Sequence, residues 1–81
     1  MLRTGDAMEL EDRFVHPDWM RTGVATRLIA DMAERSREEG ASRVEVTANP
    51  HAMAFYLHAG FLGAGEVETA FGPGTRMYLP L

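Results

Sequence analysis

The chain has 81 residues, 46% of them apolar, and a formal net charge of −4. That length supports one small domain, burying about 60–65% of its unfolded surface, and the negative charge argues against nucleic acid as a partner. Cysteine is absent and all eight basic residues are arginine, which excludes disulfides, thiolate chemistry, a Schiff-base lysine and a Walker-type P-loop lysine.

No apolar run approaches the roughly 18 residues of a membrane span. MLRTGDAMELED lacks the apolar core of a secretory signal, so a cytoplasmic location is the expectation. The first six residues, with Thr4-Gly5-Asp6, read as a turn or a frayed end. Ala7 to Val15 reads as a strand with a polar or bulged start, because Glu9 and Glu11 are poor strand material. His16-Pro17 stops it, since proline cannot donate to a ladder.

From about Gly23 to Glu39 the pattern is helical. Val24, Leu28, Ile29 and Met32 share a face with Ala25 and Ala33, and Gly40 closes the helix. Arg43 to Ala48 alternates as a short strand with Val44, Val46 and Ala48 on one side. Asn49-Pro50 opens a second helix, asparagine at the N-cap and proline at N1. That helix runs to about Ala59 on a stripe of Ala52, Phe55, Tyr56 and Ala59. Phe61 to Thr69 reads as a strand, Phe71 to Gly74 as a turn, and Thr75 to Leu81 as a last strand alternating Met77, Leu79 and Leu81. The expected fold class is α/β, a mixed sheet in the order β-α-β-α-β-β. Its first two strands are parallel and its last two form an antiparallel hairpin.

A helix that starts at a glycine turn presents unpaired N–H groups and a partial positive charge to an anion. Arg21 adds a formal charge there, and small residues at Gly23 and Ala25 would let a phosphate approach the backbone. Taken alone, Arg21 to Ala25 also fits an ordinary strand-to-helix turn. Tyr56 alone fits a core tyrosine with its hydroxyl at the rim, and Asn49 alone fits an N-cap. His51 and His58 lie seven residues apart on one helix, about 10.5 Å of rise, too far for a shared metal site.

In combination the residues say more. Val15, Pro17, Gly23 and Ala25, followed by Asn49, Ala52, Phe55, Tyr56, Gly60 and Phe61, form a pattern that resembles the GNAT superfamily of acyl-CoA-dependent N-acyltransferases. The resemblance covers about Leu10 to the C-terminus. It implies that Arg21, Thr22, Gly23, Val24, Ala25 and Thr26 hold the pyrophosphate of acetyl-CoA. It also implies that Phe14 and Val15 meet the pantetheine, that Asn49 and Phe55 line the cofactor channel, and that Tyr56 protonates the departing thiolate.

The implied activity is acetyl transfer to a small-molecule or peptide amine by direct attack, with no metal. The alternative is a non-catalytic acyl-CoA-binding or interaction module that keeps the pyrophosphate loop. Met20 stands where the family usually has glutamine or arginine, with Arg21 one place later. Glu9, Glu11 and His16 are candidate general bases. The resemblance further implies a single domain over residues 1–81 without the family's usual N-terminal half. The Met8–Val15 strand would then be an open edge, and a homodimer or other oligomer would cover it.

Overall fold

The computed structural model describes residues 2–11, 23–70 and 72–81. Strands β1 (Leu2–Thr4), β2 (Ala7–Leu10), β3 (Arg43–Ala48), β4 (Leu62–Thr69) and β5 (Gly72–Pro80) form one sheet in the order β1-β2-β3-β5-β4. Helix α1 (Val24–Glu38) joins β2 to β3, and helix α2 (Met53–His58) joins β3 to β4. The β2–β3 pair is parallel and the other three pairs are antiparallel. The expected mixed α/β sheet is therefore present, with one strand added at its start.

That addition corrects the reading of the N-terminus. Thr4 pairs with Ala7 across a two-residue Gly5-Asp6 loop, so of the turn or frayed end expected there the structure has the turn, and it closes a tight hairpin. Its consequence is direct: the edge expected to be open at Met8 is covered by Arg3 of the same chain, and Glu9 by Leu2. The outer strands are β1 and β4. The expected strand over Ala7–Val15 is seen as far as Leu10, and Phe14, Val15 and His16 lie outside the described residues. The last strand begins at Gly72, three residues earlier than expected.

Pleat alternation sorts the side chains cleanly. Met8, Leu10, Val44, Val46, Ala48 and Met77 are buried and join Ala25 and Ile29 of α1 and Tyr56 of α2 in one core. Both helices thus pack on the same face. On α1 the buried residues are Ala25, Ile29 and Ser36, with Met32 partly covered. Of the expected stripe, Ala25, Ile29 and Met32 face the core, whereas Val24 is 50% exposed and Leu28 36%, so the buried face is rotated toward Ser36.

Each helix ends in a Schellman closure. At α1 the Gly40 N–H donates to Arg37 O at 3.0 Å and the Ala41 N–H to Ser36 O at 2.9 Å. At α2 the Gly60 N–H donates to Leu57 O at 3.1 Å and the Phe61 N–H to Tyr56 O at 2.9 Å. Gly60 has φ +102°, a value that side chains disfavour. The apolar contact that accompanies such a closure is the Tyr56–Phe61 ring pair, edge to face at 5.2 Å.

The opposite face is polar. Parallel register sets Glu9 directly against Glu45, an arrangement that destabilises a sheet when left unpaired. Arg76 on β5 resolves it. Its Nη1 donates to both Glu9 oxygens at 2.9 and 3.1 Å and to Thr47 Oγ1 at 2.8 Å, while Nη2 donates to Glu45 Oε1 at 3.0 Å. Arg43 adds a 3.2 Å contact from Nε to the second Glu45 oxygen. Burial pulls the Arg76 pKa down, but the hydrogen bonds and charges of Glu9 and Glu45 outweigh it, so the net shift is upward. A raised cation loses its stabilising contribution only as pH climbs through that raised value, so Arg76 is a fixed cation throughout any ordinary pH range.

Arg76→Met leaves Glu9 facing Glu45 across a half-buried surface. Urea denaturation should show a loss of about 1–3 kcal/mol. Arg76→Lys should recover less than half of it, because an ammonium cannot reach both carboxylates as the planar fork does. An unchanged midpoint for Arg76→Met would remove the network from the account of stability.

Candidate active site

The sheet has one end where several elements converge. There the C-terminal ends of β2 and β3 meet the end of β4 at Thr69 and the start of β5 at Pro73 and Gly74, and the turn into α2 begins. These segments enclose a cleft of about 630 Å³ lined by Glu9, Glu11, Asn49, Thr69, Gly74 and Arg76, with Leu10, Ala48, Pro50 and Pro73 among its apolar walls. Clefts at the carboxyl ends of parallel strands are the usual ligand positions in open α/β sheets. Gly74 is closely packed in its wall. A Cβ at that position would lie 2.9 Å from Thr47 Cγ2 and 3.2 Å from Thr69 Cγ2.

Asn49 forms the lip of the cleft. Its Oδ1 accepts from the His51 N–H at 2.8 Å and the Ala52 N–H at 3.0 Å, and its carbonyl accepts from the Ala52 N–H at 3.1 Å. It therefore caps the turn that leads into α2, as asparagine at this position should. The regular helix begins at Met53, with Ala52 at its N-cap, three residues after the position expected from the sequence.

Helix α1 contributes its N-terminus. Gly23 sits at the N-cap with φ +81°, no side chain caps the first turn, and no acidic residue lies in it. Left-handed φ favours glycine strongly. A Cβ at Gly23 would meet nothing within 4 Å, so the described chain leaves the space beside it open. The exposed Val24 and Thr26 flank this turn, whereas Ala25 is fully buried in the core. The smallness of Ala25 thus serves packing, a different reason from the phosphate clearance expected of it. Arg21 and Thr22 lie outside the described residues. An uncapped, acid-free helix start with open space beside a glycine fits an anion such as a pyrophosphate.

Tyr56 is placed differently from a cleft residue. It is fully buried between Phe55 and Phe61, with ring centroids at 5.3 and 5.2 Å. It does not line the 630 Å³ cleft. No buried side-chain N or O among the described residues lacks a hydrogen-bond partner, so its hydroxyl is satisfied within the chain. Phe55 is partly buried beside it.

Of the candidate bases, Glu9 and Glu11 both reach the cleft. Arg76, the residue that links the cleft to the sheet, was missed from sequence. The usable signal was its parity: it alternates with Met77 and so falls on the same sheet face as the glutamates of the neighbouring strands. Among the described residues no group of three or more His, Cys, Asp or Glu is placed to hold a metal ion, and no helix is long and apolar enough to cross a membrane.

The model of the Acetyltransferase (GNAT) domain matches residues 1–76. The chain belongs to the GNAT acetyltransferase family. Among solved structures, it is similar to the ribosomal-protein-S18-alanine N-acetyltransferase from Escherichia coli, with 25% identity and a TM-score of 0.68 over 95% of this chain. The match covers 56% of that structure, so the chain spans a little over half of its length. The parallel β2–β3 pair, the two helices on one face and the closing hairpin are the GNAT fold as this chain carries it.

Gly23→Val forces a β-branched residue into left-handed φ. The variant should stay folded and lose roughly 1–3 kcal/mol of stability, read from thermal or urea unfolding. A neutral substitution would mean that the turn relaxes freely and does not require glycine.

Proposed function

We propose that the chain is an N-acetyltransferase that moves the acetyl group of acetyl-CoA to an amine. The observation that carries this reading is the cleft at the carboxyl ends of β2 and β3, in a chain of the GNAT family. The uncapped start of α1 supports a pyrophosphate site there, formed by Gly23, Val24, Ala25 and Thr26 together with Arg21 and Thr22. Phe14 and Val15 are assigned to the pantetheine, and Asn49 and Phe55 to the wall of the channel.

In this reading the acceptor nitrogen attacks the thioester carbonyl directly. A C–N bond forms, the C–S bond breaks, the ammonium proton goes to a base, and the thiolate takes a proton from Tyr56. Tyrosine suits the last step, since an ordinary phenol near pKa 10 is protonated when a thiol near 8.5 leaves. For the base, the candidates are Glu9, Glu11 and His16; Glu9 and Glu11 line the cleft, and Glu9 has both oxygens on Arg76. The acceptor is a small amine or a protein or peptide amine. An oligomer, which belongs to the same reading, would form through an outer strand, β1 or β4, in place of the Met8–Val15 edge.

The full burial of Tyr56 favours a second reading, a module that binds acyl-CoA without turnover. Calorimetry with acetyl-CoA should give saturable binding that Gly23→Val weakens severely. No binding at millimolar acetyl-CoA would sink both readings. Thiol release over a panel of amines then separates enzyme from binder. Tyr56→Phe keeps the ring packing and should slow turnover by roughly 10²–10⁴ while acetyl-CoA affinity holds. A rate equal to the parent's would take Tyr56 out of the mechanism.

A further inference from the structure

Every one of the eight residues of β4 is exposed, and among the described strands β4 lies at the sheet edge with β5 as its neighbour. The N–H and C=O groups along such an edge are a template for another strand. The other outer strand, β1, has three residues, and short edge strands are poor templates. The large apolar side chains of β4 are Leu62, 48% exposed, and Val67, 36% exposed.

A bulge decides where these two side chains point. Leu62 pairs with Tyr78 and Gly63 with Met77, and after the bulge Glu66 pairs with Thr75 and Val67 with Gly74. Ala64 and Gly65 are thus set against the one intervening residue, Arg76. In an unbroken strand two residues five apart lie on opposite faces. The extra residue shifts the pleat by one, so Leu62 and Val67 share a face, the one that Tyr78, Arg76 and Gly74 occupy on β5.

We propose that β4 pairs antiparallel with β4 of a second copy about a two-fold axis between Ala64 and Gly65, joining two five-stranded sheets into one. This register sets Leu62 opposite the partner's Val67, Gly63 opposite the partner's Glu66, and Ala64 opposite the partner's Gly65. Opposed residues share a face throughout, because both copies carry the same bulge. Glu66 meets glycine, and Glu68 stands opposite the partner's Phe61, so no like charges are opposed. An axis on Glu66 or Val67 would set glutamate against glutamate, which is unfavourable. An axis on Gly65 would set Gly63 against Val67, residues of different faces. Charges and bulges ordinarily protect an edge from pairing; this one axis accommodates both. The pairing rests on the oligomer reading above, narrows it to one strand and one register, and requires no catalysis.

Cysteine is absent from the sequence, so introduced thiols report the register directly. Leu62→Cys and Val67→Cys are prepared as separate chains of the full sequence and checked for folding by circular dichroism. Each is oxidised alone, and the two are also mixed under reducing conditions and then oxidised. Directly opposed residues lie within about 5.5 Å between Cα atoms, inside the range of a disulfide. Two copies of position 62, or of position 67, lie five residues apart along the ladder, roughly 16 Å, and are out of reach. The expected result is a covalent dimer in the mixture and none from either chain alone. Sedimentation of the parent should show a monomer–dimer equilibrium, and Val67→Lys should raise its dissociation constant about fivefold or more. A parent that stays monomeric to its solubility limit overturns the inference and the oligomer reading with it. A parent that dimerises without a cross-link in the mixture, with cross-links from either single chain, or with no response to Val67→Lys overturns the β4 register and leaves the oligomer standing. Acetyl transfer is read separately by thiol release and stands or falls independently of these outcomes.

Discussion

Parallel pairing of β2 and β3 is the constraint that shapes the rest of the structure. It places Met8 and Leu10 beside Val44 and Val46 on one face, and on the other it places Glu9 beside Glu45. The first consequence builds the core that α1 and α2 cover. The second would be unfavourable alone, because two carboxylates one strand apart repel. Arg76 reaches across β3 from β5 to bind both, with Thr47 directly opposite it in register. The guanidinium therefore ties the parallel half of the sheet to the antiparallel half. Both helices lie on the other face, so this tie holds the three central strands from the side that no described helix covers.

Much of this was legible in the sequence, for identifiable reasons. The β3 strand has unbroken two-residue alternation, and its bounds match at Arg43 and Ala48. Helix α1 has a long amphipathic pattern with a glycine after it, and it ends as that pattern requires. The hairpin at Leu2–Leu10 was not read because Gly5-Asp6 sits so close to the start that its three-residue first strand resembled a frayed end. Glu9 looked wrong for a strand because intrinsic preference cannot include a partner from residue 76. The same blind spot hid Arg76 itself. Its strand was read through Met77, Leu79 and Leu81, the face that packs inward, and the partners of the other face are more than 28 residues away.

The tyrosine shows how one sequence pattern can have two causes. The Tyr56-x-x-x-Gly60-Phe61 stretch is accounted for by helix closure: Phe61 bonds back to Tyr56, Gly60 supplies the left-handed turn, and the two rings pack. That geometry would keep an aromatic residue at position 56 in a protein with no chemistry at all. It does not ask for a hydroxyl, since phenylalanine would pack the same way. The hydroxyl is buried and satisfied within the chain, and it is the part of the motif that the proposed proton transfer would require.

The two helix starts are built differently. Asn49 accepts from the His51 and Ala52 amides in the turn that leads into α2, while α2 itself has no side-chain cap. The start of α1 has no side-chain cap and no acidic residue in its first turn, and among the described residues nothing lies within 4 Å of where a Cβ at its N-cap glycine would stand. In the proposed reaction the α1 terminus would take the coenzyme's pyrophosphate and the cleft the acceptor amine.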